Sequence, residues 1–135
     1  MQVVMRRTPL FVTLAVLTFA GCDLDYPRVV VVNRIGPEVV VRDPSFNGCR
    51  WATTLNYGDH TAMKACLPGR GRVHFKKLDL AQYSAGGSQA DDGTPRWFNY
   101  QTASSLEAGP GDSVILELTR EDMEQDFSVP GPYGH

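Results

Sequence analysis

Short runs of β-branched and aromatic residues, separated by turn-forming residues, constrain the fold of this chain more than any other feature. The first run is Val29–Val32, and the second, Val39–Val41, follows the turn signal Gly36-Pro37. Similar runs recur at spacings of roughly 8–15 residues, with glycine, proline or asparagine between them. This spacing is typical of small antiparallel domains. We therefore predict an all-β fold, a small antiparallel β-sandwich or partial barrel of about six or seven strands.

The apolar pattern inside each run predicts how the strands are buried and paired. Val29–Val32 is apolar on both faces, which predicts a strand covered on both sides. Together with Val39–Val41 it predicts a β-hairpin across the intervening turn. Further strands are predicted at 49–55, 72–76, 95–101 and 113–119. Residues 82–94 are predicted to form a long loop, and 119–125 is the one stretch with helical propensity.

Alternation within two of these strands assigns residues to the core. Cys49, Trp51 and Leu55 share one face of the strand at 49–55, so we predict that Trp51 lies in the core beside Cys49. In the strand at 72–76, residues 73 and 75 are predicted to face inward, and His74 and Lys76 outward.

Length and charge limit the number of domains and the partners that this chain is expected to have. The chain has 135 residues, which fits a single domain. Thirteen basic side chains against fifteen acidic ones give a net charge of −2. Because there is no basic surplus, nucleic acid is not an expected partner.

The N-terminal 21 residues have the three parts of a secretory signal peptide. Arg6-Arg7 forms the basic part, 10–20 is an apolar run, and Ala20-Gly21 provides small residues before Cys22. The apolar run is shorter than the about 20 residues that a membrane-spanning helix needs. We therefore predict that residues 1–21 are a cleaved signal peptide.

The junction Phe19-Ala20-Gly21-Cys22 resembles the lipobox of bacterial lipoproteins, with Phe19 in place of the commonest leucine. The resemblance implies that Cys22 becomes the acylated N-terminus, carrying palmitate-type chains that anchor the protein in a lipid bilayer. Several acyl chains on one residue give a stable anchor. Asp23 resembles an inner-membrane retention signal. The expected location is the bacterial cell envelope, with the domain facing the periplasm or the exterior.

The part of the chain after Cys22 is similar in outline to secreted β-domain lipoproteins whose role is not established. The similar segments are Gly48-Cys49-x-Trp51, Cys66-Leu67-Pro68-Gly69 and Val73-His74-Phe75. The predicted organisation is a signal peptide at 1–21, a lipid-anchored tether at 22–27, a β-sandwich domain at 28–127 and a flexible tail at 128–135.

Lipidation of Cys22 bears on the two remaining cysteines. Cys49 and Cys66 are then left as a pair in an oxidising compartment, which predicts a disulfide. Two free buried thiols are the alternative. Removing the signal peptide also removes two arginines and no acid, so eleven basic side chains remain against fifteen acidic ones, a net charge of −4.

The sequence contains no recognisable catalytic, metal or cofactor motif. His60, His74 and His135 lack zinc-ligand spacing, and no G-x-S-x-G or nucleotide-binding glycine loop is present. Asp91-Asp92-Gly93-Thr94 resembles part of a calcium loop, but Pro95 follows where oxygen ligands are needed. We predict no catalytic residues, no metal ligands and no cofactor, and interpret these residues as surface loops and sheet-face side chains.

The strand at 95–101 carries the candidate binding surface. If Phe98 and Tyr100 face the core, then Trp97, Asn99 and Gln101 share the opposite face, where an indole beside two amides can stack on a sugar or accept a partner chain. The alternative is that both faces of this strand are covered.

Two classes of function follow from the sequence. The first is a non-catalytic envelope module, not an enzyme, that binds a protein or a glycan or has a structural role. The second is an envelope hydrolase with an unrecognised carboxylate site. An exposed Trp97 on a strand face favours binding, and a cleft with two carboxylates of raised pKa favours the hydrolase.

Overall fold

The computed structural model describes residues 25–84, 86 and 95–130. The predicted signal peptide, Cys22, Asp23, residues 91–94 and His135 lie outside these described residues. Eleven strands and one short helix are present in the described part: β1 (Arg28–Arg34), β2 (Val39–Phe46), β3 (Cys49–Arg50), β4 (Thr54–Leu55), β5 (Lys64–Ala65), β6 (Gly69–Gly71), β7 (His74–Asp79), α1 (Leu80–Ser84), β8 (Phe98–Gln101), β9 (Leu106–Ala108), β10 (Ser113–Thr119) and β11 (Glu124–Gln125).

The strands form two main sheets and one small two-stranded sheet. The larger sheet has the order β11-β8-β7-β2-β3, and β4 also pairs with β2; all of its pairings are antiparallel. The smaller sheet has the order β10-β1-β5, and β6 pairs with β9 separately. The predicted all-β, mainly antiparallel fold is confirmed.

The core lies between the two main sheets, which each contribute one face. Its largest fully buried side chains include Val29 and Val31 from β1, Val41 and Phe46 from β2, and Leu118 from β10. The predicted inward positions 73 and 75 are buried, and so are Phe98 and Tyr100. The period-two alternation of the sequence therefore assigns these core residues correctly.

The predicted hairpin of Val29–Val32 with Val39–Val41 is wrong. β1 lies in the smaller sheet, where it pairs in parallel with β10 and antiparallel with β5, whereas β2 lies in the larger sheet. The buried side chain of Asn33 marks this change of sheet. Its Nδ2 donates to the carbonyl oxygens of Val39 and Leu55, and its Oδ1 accepts from the amide of Ile35. These three bonds satisfy the backbone where the chain leaves one sheet for the other.

The stretch with helical propensity, 119–125, forms no helix: it contains the last residue of β10, a turn and then β11. The Asp122 amide donates to the Thr119 carbonyl, and the Asp122 carboxylate accepts from both the amide and the hydroxyl of Ser104. Pairing of β11 with β8 then gives these residues sheet hydrogen bonds. The short helix α1 begins at Leu80, two residues before the predicted 82–94 loop, and ends at Ser84 within it. Asp79 is its N-cap, because Asp79 Oδ1 accepts hydrogen bonds from the amides of Ala81 and Gln82.

The predicted disulfide between Cys49 and Cys66 is confirmed, with the two Cα atoms 5.5 Å apart. It joins β3 to the segment that follows β5. Trp51 is buried nearby, 3% exposed, and its indole nitrogen donates to the Ala62 carbonyl. The predicted core position of Trp51 agrees with this burial.

Both ends of the described chain are hydrogen-bonded to the domain. Within the predicted tether, the Asp25 carbonyl accepts from the Gly111 amide, and the Pro27 carbonyl accepts from the Cys66 amide. Within the predicted tail, the Pro130 carbonyl accepts from the side chain of Asn99. The ordered domain therefore includes residues at both of its predicted borders.

Candidate functional site

A groove of about 810 Å³ lies on the outer face of the larger sheet, on the side away from the core. Alternation positions its side chains: where Phe98 and Tyr100 of β8 face inward, Asn99 faces out. The groove is lined by residues from β2, β3, β7 and β8, from the segment 95–97 just before β8, and from the segment after β11. The lining residues include Arg42, Arg50, His74, Lys76, Trp97 and Asp126.

Strand register aligns the polar residues of this face in two rows that cross the sheet. The first row runs across five strands, from β3 to β11: Arg50, Ser45, His74, Gln101 and Glu124. The second row crosses β2, β7 and β8: Arg42, Lys76 and Asn99. The two rows place side chains from distant parts of the chain side by side.

A β-bulge in β2 brings Arg42 and Ser45 to the same side of the sheet. In a regular strand, residues three apart point to opposite faces. The register of β2 shifts between these two residues, and Asp43 adopts a left-handed backbone conformation with φ of 53°. Both side chains consequently line the groove.

Trp97 stands on the predicted face, but it is half-buried and stacked with Arg42. The Arg42 guanidinium carbon lies 4.5 Å from the centre of the indole ring, a cation–π contact. Arg42 Nε is buried and has no hydrogen-bond partner among the described residues; the nearest carboxylate oxygen, on Asp43, is 3.8 Å away. The indole therefore holds a guanidinium whose hydrogen-bonding capacity is not fully used.

The other two residues of the predicted binding surface, Asn99 and Gln101, donate their side-chain amides within the protein. Asn99 Nδ2 donates to the Pro130 carbonyl. Gln101 Nε2 donates to Glu124 Oε2, which also accepts from Arg72. The structure thus places Trp97, Asn99 and Gln101 on one face, as predicted, but the two amides already have protein partners.

His74 and Asp126 form a contact that the sequence did not predict. His74 Nδ1 lies 2.6 Å from Asp126 Oδ2, and the Asp126 carboxylate is buried while the imidazole is partly exposed. Asp126 Oδ1 also accepts from the amide and hydroxyl of Ser128. Burial alone would raise the pKa of Asp126, but the hydrogen bonds from Ser128 and His74 outweigh it and lower the pKa below its ordinary value.

Positive charge predominates in the groove. Arg42, Arg50, Lys76 and Arg96 line it, against the carboxylates of Asp43 and Asp126. Arg50 and Lys76 form no ion pair within the described part of the chain. Because the chain after Cys22 is predicted to be net acidic, this local excess does not follow from composition.

His60, the other histidine among the described residues, does not line the groove. Its Nδ1 lies 2.8 Å from the Thr61 carbonyl oxygen, and its backbone forms an isolated antiparallel bridge with Val32 of β1. Across residues 25–84, 86 and 95–130, no group of three His, Cys, Asp or Glu side chains is arranged to hold a metal ion. The same residues include no helix with the length and apolar character required to cross a membrane.

Comparison with known proteins gives no match to this chain among protein-family models, curated proteins or solved structures.

Proposed function

We propose that this chain is a membrane-anchored lipoprotein of the bacterial cell envelope whose β-domain is a non-catalytic binding module, with the groove as its ligand site. The anchor is the acylated Cys22 implied by the lipobox-like junction. The observation that carries the binding role is the convergence of Trp97, Arg42, Arg50 and Lys76 on one groove.

The construction of the groove supports binding. Its floor consists of paired strands, so its side chains need little backbone ordering when a ligand arrives. Trp97 immobilises Arg42 in advance by stacking on its guanidinium group. The volume of the groove, about 810 Å³, lies in the range of small-ligand sites.

A hydrolase is the second candidate, and the contact between His74 and Asp126 is the observation that favours it. The buried carboxylate of Asp126, hydrogen-bonded to Nδ1, would orient the His74 imidazole to act as a general base. Ser45, a candidate nucleophile, lies opposite His74 in the strand register. The lowered pKa of Asp126 argues against a carboxylic general acid at this position, because such an acid needs a raised pKa. Labelling of Ser45 by a fluorophosphonate probe, abolished in His74→Ala, would replace the binding proposal with this one.

Site-specific photo-crosslinking tests the binding role. A photoreactive residue at Ala52, which lines the groove, is compared with one at Ile115, which is 67% exposed on the other sheet. In cells, we expect a crosslinked envelope component from position 52 and not from position 115. Equal crosslinking from both positions, or none from position 52, would contradict the assignment of the groove.

Fatty-acid labelling tests the anchor separately. A metabolically incorporated fatty-acid analogue should label the wild-type chain and not Cys22→Ser. Labelling of neither protein in a bacterial host would remove the anchor from the proposal but leave the groove in place.

A further inference from the structure

We propose that the groove recognises an anionic group, a carboxylate or phosphate, carried by a saccharide, with Arg42, Arg50 and Lys76 as the contacting residues and Trp97 as the residue that positions Arg42. This inference rests on the proposed function, since it names the ligand class of the same site.

The charge of the groove contrasts with the charge of the rest of the domain. Fifteen acidic side chains outnumber eleven basic ones after the predicted cleavage site. Arg42, Arg50 and Lys76 nevertheless lie on adjacent strands of one face, where the Asp43 carboxylate lies 3.8 Å from Arg42 Nε. Like charges placed side by side repel each other, so an anion between them relieves that repulsion.

Arg42 is held in place by stacking but is incompletely hydrogen-bonded. Stacking on Trp97 restricts the side chain, while its Nε lacks a hydrogen-bond partner among the described residues. A planar guanidinium held in this way is suited to a carboxylate or phosphate, whose oxygens accept two parallel N–H bonds. Part of the entropy normally lost on binding is already lost in the folded protein.

The position of the groove on the sheet favours a saccharide over an acidic peptide as the ligand. An extended peptide binds a sheet by pairing with the backbone of an edge strand, but this groove lies on the face of β2, β7 and β8, whose backbones pair with each other. Recognition must therefore come from side chains within a volume of about 810 Å³. A small polar ligand bearing charge, next to an aromatic ring, satisfies those conditions.

The side-chain amides of the groove face already have partners within the protein, so charged groups contribute more to ligand recognition than neutral hydrogen bonds to hydroxyl groups do. Asn99 and Gln101 already donate to Pro130 and Glu124. The cationic side chains are then the principal donors that the groove offers to a ligand.

Calorimetric titration of the full-length chain, purified in detergent, tests this inference. The probes are an oligogalacturonate, a phosphate-bearing oligomannose and the neutral form of each. We expect at least one anionic probe to bind about tenfold or more tightly than its neutral form. Arg42→Gln and Lys76→Gln should each weaken that binding about tenfold or more, because each removes a charged hydrogen bond. Arg34→Gln, which removes the same charge from an exposed site at the end of β1, should bind as the wild type.

The remaining outcomes distinguish this inference from the proposed function. Equal binding of neutral and anionic probes would overturn the anionic ligand class but leave the groove as a binding site. Preferential binding of phosphatidylglycerol vesicles, lost in Arg42→Gln, would assign the anion to a lipid and overturn the saccharide. Failure of every probe, together with crosslinking from position 52, would overturn this inference alone. Failure of every probe without such crosslinking would overturn the proposed function as well.

Discussion

At the scale of single residues, the buried side chain of Asn33 stabilises the connection between the two sheets. It is fully buried, and its side chain bonds to three backbone groups, those of Val39, Leu55 and Ile35. We expect Asn33→Ala to lower the free energy of unfolding by at least about 2 kcal/mol, because buried carbonyls and an amide lose their partners. Chemical denaturation measures this, with Asn56→Ala as an exposed control. A loss no larger than that of the control would contradict this stabilising role of Asn33.

The two tryptophans should respond differently to truncation. Trp51 is buried and its indole donates to Ala62, so Trp51→Ala should cost about 3–5 kcal/mol of unfolding free energy. Trp97 is half-buried and stacks on Arg42, so Trp97→Ala should cost about 1–2 kcal/mol. Denaturant titration of both variants tests the assignment, which a larger loss for Trp97→Ala would reverse.

The Asp126 carboxylate makes stability depend on pH. Its pKa is lower in the folded protein than in the unfolded chain, where it is about 3.9. The contribution is therefore fully present above the unfolded pKa and is lost as pH falls through the lower, folded pKa. We expect Asp126→Asn to be less stable than the wild type at neutral pH, and the difference to shrink below about pH 4. A difference that stays constant from neutral to acid pH would show that the charge is not responsible.

Sequence alternation predicted which side of a strand many of these residues occupy, but not the contacts they make there. It placed Trp51 in the core, His74 outward and Trp97 opposite Phe98. It did not predict that His74 meets Asp126, because the two residues are 52 positions apart and no local pattern links them. It also missed the stacking of Arg42 on Trp97, because this contact depends on the register of β2 with β7 and of β7 with β8.

At the scale of secondary-structure elements, local patterns located most strands but not their partners. β1 is a β-branched run covered on both sides, as predicted. Its neighbour β10, however, lies far away in the sequence, since Arg28 pairs with Ser113. The turn at Ile35–Glu38 is compatible with a hairpin or with a change of sheet. The Asn33 side chain, which bonds to both Val39 and Leu55, accompanies the change of sheet. For α1, the Asp79 cap followed by Leu80 and Ala81 was the available signal.

The disulfide links two elements that otherwise belong to different sheets. Cys49 starts β3 in the larger sheet, and Cys66 follows β5 in the smaller one, 17 residues further on. By the chain-entropy model, we expect its removal to cost about 3 kcal/mol of unfolding free energy. Denaturant titration of the Cys49→Ala, Cys66→Ala double variant measures this. The wild type in reductant should show the same loss, and an unchanged midpoint in both would contradict a stabilising role.

At the scale of the whole molecule, the way the chain enters the domain determines how a lipid anchor would orient it. The Asp25 carbonyl accepts from Gly111, and the Arg28 amide donates to the Asp112 carbonyl. Residues 23 and 24 alone then separate the proposed acylated Cys22 from the first residue bonded to the domain. The three residue steps from Cys22 to Asp25 span at most about 11 Å. The end of the domain where β1 begins is therefore expected to lie against the bilayer surface.

This geometry predicts a gradient of distance from the membrane along β1. Arg34 lies at the far end of the strand from Arg28, about 20 Å away at the rise of an extended chain. A fluorophore attached at position 28 should be quenched strongly by a quencher in the lipid headgroups, and one at position 34 much more weakly. In Cys22→Ser, which lacks the proposed anchor, the two positions should be quenched equally and weakly. Equal quenching of both positions in the lipidated protein would mean that the domain has no fixed orientation, despite the hydrogen bonds that join residues 25–28 to it.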